Sequence, residues 1–150
     1  MKLLCDHMLG SLARWLRFMG YDTAYPEPTS DRDLIDMARR EDRILLTRDK
    51  ELAGRVREAV GIRSDDLDEQ IREVAAVLPL RLIDPLSRCS LCNSVLLPVS
   101  RDAIEELVPV GVRSRHEEFW RCPSCHRVYW QGSHWEKMVE RLNHLDLPRA

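Results

Sequence analysis

A chain of 150 residues can hold one ordinary domain, or one small domain with a metal-stapled appendage. Its charged residues, 32% of the total, nearly cancel to a formal net of -2, which excludes a histone-like basic binder and an acidic disordered tail. No apolar run approaches the roughly 18–20 residues of a membrane span, and the N-terminal residues, acidic by Asp6, hold no signal-peptide core, so a cytoplasmic protein without membrane contact is expected.

Lys2 to Asp6 reads as a short buried strand that ends in a carboxylate. From Leu9 to Met19 apolar residues recur every three or four positions, the period of a helix, and Gly20 is suited to close it. Tyr21 to Tyr25 is β-prone and is ended by Pro26 and Pro28. Ser30 or Asp31 can cap a helix over about 32–40, with Leu34, Ile35, Met37 and Ala38 facing inward. Arg43 to Thr47 is the clearest buried strand. A helix from Lys50 to Val60, a strand from Gly61 to Arg63 and a helix from Leu67 to Leu78 follow. Strands alternating with helices imply an α/β domain, a parallel sheet flanked by helices, with ligands beyond the carboxyl ends of the strands.

The boundary is expected at Ile83-Asp84-Pro85, giving units 1–84 and 85–150. Past it the pattern changes to short strands around paired cysteines, then a helix opening at Ser133, with Ser133 and Glu136 as a capping box. Cys89-x-x-Cys92 and Cys122-x-x-Cys125 each deliver two thiolates to one face of a tetrahedron, and their contexts, RCSLCN and RCPSCH, are turn-like. The gap of 29 residues between the pairs leaves room for a hairpin or loop. Four thiolates close a zinc site, so the expected ion is structural and folds a small C-terminal zinc ribbon. His116 and His126 are not needed as ligands. Cys5, the fifth cysteine, reads as a buried strand residue.

In the first unit Asp6 follows the first strand, Asp49 follows the third, and Asp31 opens a helix. Asp66, after the next strand, is favoured over Asp65 as a fourth acid. Carboxylates gathered at one sheet edge repel one another unless a cation lies between them, and hard oxygen ligands suit Mg²⁺ or Mn²⁺. The plainer role of each acid is a helix cap or a surface turn. Of the 23 basic residues 20 are Arg, whose planar fork suits phosphate, although a GC-rich genome also favours Arg codons. Arg14 and Arg17, on the first helix, and Arg48, beside Asp49, are candidates to hold phosphate; the alternative for the helix pair is a solvated face. His7 lies beside Asp6.

The segments CDHMLGSLARWLRFMGYDT (5–23), SDRDLIDMA (30–38), RILLTRD (43–49), SRCSLCN (87–93) and FWRCPSCHRVYWQGSHW (119–135) together resemble the Mut-seven C-terminal RNase family, PIN-like domains that carry a zinc ribbon. The resemblance spans nearly the whole chain. It implies a PIN-like fold and metal-dependent cleavage of RNA, with Asp6, Asp31 and Asp49 as catalytic acids and Arg14 at the family's arginine position. The expected function is therefore a Mg²⁺- or Mn²⁺-dependent ribonuclease, Asp6, Asp49 and Asp66 holding the ion. Arg113, Arg115, Arg121 and Arg127, interspersed with Trp120, Tyr129 and Trp130, would let the ribbon bind RNA or a protein partner, or the aromatics pack on the first domain instead. The alternative is a non-catalytic RNA- or protein-binding adaptor on a PIN-like scaffold.

Overall fold

The computed structural model describes residues 1–82, 84 and 86–147; Ile83 and Pro85, which flank the expected boundary, lie outside them. Four parallel strands form the first sheet: β1 (Lys2–Cys5), β2 (Asp22–Ala24), β3 (Ile44–Thr47) and β4 (Ala59–Gly61). Their spatial order is β2-β1-β3-β4. Alternate residues of β1 enter opposite cores. Leu3 and Cys5 pack with helix α1 (Gly10–Phe18), while Leu4 packs with α2 (Asp31–Arg40). A sheet covered on both faces needs apolar residues at both parities, which is why KLLC and ILLT read as continuous apolar runs.

Local chemistry sets the helix ends. Gly20, at φ 105°, takes the left-handed conformation past α1, where Gly20 N–H reaches Arg17 O and Tyr21 N–H reaches Leu16 O, a Schellman closure. Ser30, not Asp31, caps α2: its hydroxyl accepts from Asp33 N–H, and Asp31 is the first helical residue. Helix α3 (Lys50–Arg55) ends well before Val60, and the following strand is β4 rather than residues 61–63. Gly54 weakens the end of that helix, Val56 is already extended, and Val60 instead pairs with Leu46 in the sheet. Helix α4 (Leu67–Val77) follows the expected range.

The cysteine-bearing part adds an antiparallel sheet, β5 (Leu97–Val99), β6 (Phe119–Arg121) and β7 (Val128–Tyr129), in the order β5-β6-β7. The gap between the cysteine pairs thus holds an antiparallel pair, β5 with β6, joined by a connection that contains a 3-10 turn and a short helix α5 (Val110–Arg115). The last helix, α6 (Ser133–His144), returns to the first core: Leu142 and Leu145 are buried there beside Leu12, Leu16, Ile71 and Val74. Its arginine, Arg141, pairs with Asp68 at 2.7 Å and lies 5.1 Å over the Trp15 ring. The expected capping box is absent. Gly132 occupies the cap position and Ser133 the first helical turn, so the serine hydroxyl is one residue too late to accept from the helix.

No helix among the described residues is long and apolar enough to cross a membrane.

Candidate metal centre and carboxylate edge

Cys89, Cys92, Cys122 and Cys125 converge so that their four sulfurs all lie within 4.8 Å of one another. Cys92 Sγ is 3.2 Å from Cys122 Sγ, and Cys89 Sγ is 3.6 Å from Cys125 Sγ. A zinc ion bonded to thiolates at about 2.3 Å requires sulfurs roughly 3.8 Å apart in a tetrahedron, so the cluster can hold such an ion with small adjustments.

The two pairs are built alike. Cys89 N–H donates to Ser94 O and Asn93 N–H to Cys89 O; Cys122 N–H donates to Arg127 O and His126 N–H to Cys122 O. Asn93 and His126 both take positive φ, 71° and 66°, and this left-handed residue turns each knuckle back on itself. Burial pushes the Cys122 thiol up, but hydrogen bonds from Cys125 and Cys92 outweigh it and bring it down to about 6. Tyr129 Oη sits 3.0 Å from Cys89 Sγ.

The first knuckle is tied to the parallel sheet. Arg17 is not a phosphate ligand. It is buried, donating from Nε to Thr23 O at 2.8 Å and from its terminal nitrogen to Ser90 O and Leu91 O at 3.2 and 3.1 Å. Asn93 accepts from Thr23 N–H and donates to Asp22 Oδ1 at 2.7 Å; Arg43 holds the same carboxylate oxygen at 2.8 Å. Spacing gave Arg17 and Arg14 the same helix face, and only the tertiary structure separates them. Arg14 is exposed.

Two of the expected acids, Asp6 and Asp49, lie just past β1 and β3, while Asp31 and Asp66 stand at the starts of α2 and α4. Asp6 lies just past β1 and is 5% exposed; its Oδ1 accepts from His7 N–H, and its Oδ2 accepts from the Thr47 hydroxyl at 2.9 Å. The same hydroxyl accepts from Asp49 N–H at 3.0 Å, so Thr47 touches both acidic residues. Asp49 Oδ1 accepts from Glu51 N–H and Leu52 N–H, capping α3. Asp66 caps α4 through Glu69 N–H, and Asp31 is exposed at the start of α2. Arg48, Asp49, Lys50 and Arg63 line a cavity of about 480 Å³ with Met8 and Ile62. Among the described residues the four cysteines form the one group of three or more metal-ligating side chains that converges; the acids form none.

Cys5 is fully buried, and that burial pushes its thiol up to about 12. The ribbon aromatics divide. Trp120 and Tyr129 pack around the cysteine cluster, while Trp130 lies 6.3 Å from Phe119 in a separate small core. Of the ribbon arginines, Arg113 bonds Glu105 O and Arg115 bonds Gly111 O, whereas Arg127 is exposed.

The model of one protein family, described as the Mut7-C RNAse domain, matches residues 1–142. No curated protein and no solved structure matches the chain.

Proposed function

We propose that this chain, which belongs to the Mut7-C RNAse domain family, is a metal-dependent ribonuclease with its site between Asp6 and Asp49. One observation carries the reading. The strand order reverses between β1 and β3, the place where open α/β sheets bind ligands, and Thr47 joins Asp6 to Asp49 across that point.

The donor set fits a hard divalent ion. Asp6 Oδ1 already meets both the main-chain N–H and, at 2.8 Å, the Nδ1 of His7, whereas Asp6 Oδ2 keeps acceptor capacity beyond the Thr47 hydroxyl, and Asp49 Oδ2 has no protein partner among the described residues. Asp6 and Asp49 would hold Mg²⁺ or Mn²⁺, with Asp31 and Asp66 on the flanking helices as further ligands. The ion, when bound, supplies Lewis acidity and a more acidic water for phosphodiester hydrolysis. Thr47 and the His7 N–H fix the Asp6 carboxylate in one orientation. Arg48, Lys50 and Arg63 draw the RNA phosphates into the groove beside Asp49, and Arg14 is assigned to the phosphate backbone. The cysteine cluster is read as a closed, structural zinc site, in keeping with a reducing cytoplasm.

A second reading has its own support. Asp49 and Asp66 already cap helices, and the acids form no converging group among the described residues, as a non-catalytic adaptor binding RNA or a protein would allow. Incubation of labelled single-stranded RNA with Mn²⁺ and the purified protein, beside an Asp6→Asn/Asp49→Asn variant, separates them. Cleavage lost in the variant supports the enzyme; binding without cleavage by either protein supports the adaptor.

A further inference from the structure

A cavity of about 550 Å³ opens between the C-terminal half of α1, the first cysteine knuckle and the β7–α6 junction. Its volume falls in the range of about 300–1,000 Å³ common to small-ligand sites. The walls combine two kinds of side chain. Arg14, Arg88 and Arg127 supply three guanidinium groups, and among the described residues no Asp or Glu lines the cavity, although the chain as a whole is acidic by -2. Trp130 and Trp135 supply half-buried indole faces, and Trp15, whose ring carries Arg141 at 5.1 Å, adds to the wall. Arg14 and Arg127 take part in no ion pair among the described residues. Trp135 Nε1 is a buried donor with no hydrogen-bond partner among the described residues.

Free cations without acids select a polyanion, and flat aromatic faces between them select one that carries bases. We infer that this cavity binds a nucleotide segment of single-stranded RNA, its base against the indoles and its phosphates on Arg14 and Arg127. The inference rests on the reading of RNA as the substrate, but the site is a different one. Neither Asp6 nor Asp49 lines the cavity. Helix α1 connects the two places: Asp6 precedes its N-terminal end, and Arg14, Trp15 and Phe18 of its far half face the cavity. RNA held here would run along α1 toward the carboxylate edge, making the cavity a positioning subsite.

Gly132 shapes one wall. A Cβ at this position would come 2.7 Å from Trp130 Nε1 and 3.0 Å from the adjacent ring carbon, so any larger residue forces the indole to move.

The test uses the full, zinc-loaded chain carrying Asp6→Asn and Asp49→Asn, without added Mg²⁺ or Mn²⁺, so that binding is read without cleavage. A short labelled single-stranded RNA is titrated by anisotropy. Arg127→Glu is expected to weaken binding roughly tenfold or more, and Arg127→Lys to recover part of it. Arg127→Gln should make the slope of log K against log salt shallower by about 0.7, one phosphate contact. Inorganic polyphosphate should bind more weakly than RNA and quench tryptophan fluorescence less. Equal affinity of the Arg127→Glu and parent proteins, with zinc content and circular dichroism unchanged, overturns the subsite; so does polyphosphate binding as tightly as RNA. Cleavage is measured separately with the acids intact. RNA binding lost with Arg127→Glu in a protein that cleaves nothing would retain the subsite and remove the nuclease. Cleavage indifferent to Arg127→Glu would do the reverse.

Discussion

Asn93, one residue past Cys92, accepts the main-chain N–H of Thr23 at 3.0 Å. Thr23 lies on β2, an edge strand whose outward N–H would otherwise be a free donor. The cysteine knuckle thus completes the sheet edge, so a metal ion held by the four cysteines is expected to support β2 as well. Removing the ion with a strong chelator, or replacing Cys122 with Ser, is expected to release one zinc per chain and loosen the knuckle together with β2. Metal analysis and hydrogen exchange at Thr23 check this: protection at Thr23 unchanged after metal loss would refute the coupling.

Arg17 is the second tie. It serves three carbonyl oxygens from a buried position, so Arg17→Met leaves those acceptors without donors. The expected loss is about 3 kcal/mol in denaturant unfolding, whereas Arg14→Met, at an exposed position, should change stability by less than about 0.5 kcal/mol. Similar effects at the two positions would contradict the assignment.

Asp22 predicts an acid response. Burial pushes its carboxyl up, but the hydrogen bonds from Asn93 and Arg43 outweigh it and hold it below the ordinary 3.8. A carboxyl depressed in the folded state contributes stability that is fully present above its unfolded value and lost as pH falls through the folded one. Stability should therefore drop below pH 3.8, and the drop should be smaller in Asp22→Asn. Thermal unfolding at stepped pH measures it.

Asp49 allows the cap and the proposed metal ligand to be separated. Asn caps a helix about as well as Asp, so Asp49→Asn should leave stability within about 0.5 kcal/mol, while Asp49→Ala costs about 1 kcal/mol. Both are expected to lower Mn²⁺-dependent cleavage by about a hundredfold or more, since both lose the carboxylate charge. Cleavage by Asp49→Asn at the parent rate would remove Asp49 from the site.

Helix α6 closes the first core, although it follows the cysteine-bearing sheet in the chain. Leu142 is 4% exposed among residues of α1 and α4. Leu142→Ala is expected to destabilise the whole protein by about 3 kcal/mol in a single cooperative transition. A separate transition confined to the C-terminal residues would show that α6 folds independently.

Local order in the chain already determined the strand and helix sequence of the first sheet, the Cys pairs and the placement of Asp6 and Asp49 after the first and third strands. Period, glycine punctuation and metal-ligand spacing act over a few residues, and those are the ranges a sequence displays. Helix α3 stops at Arg55 rather than reaching Val60, because Val60 pairs with Leu46 in the sheet and Gly54 weakens the helix end. Arg14 and Arg17 look interchangeable on a helical repeat; which one is buried depended on a knuckle more than seventy residues away, bonded through Ser90 O and Leu91 O. The same long-range packing brought Arg14, Arg127 and Trp130 around one cavity and returned α6 to the first core. Such contacts arise only when distant apolar surfaces are buried together, and no local pattern encodes them.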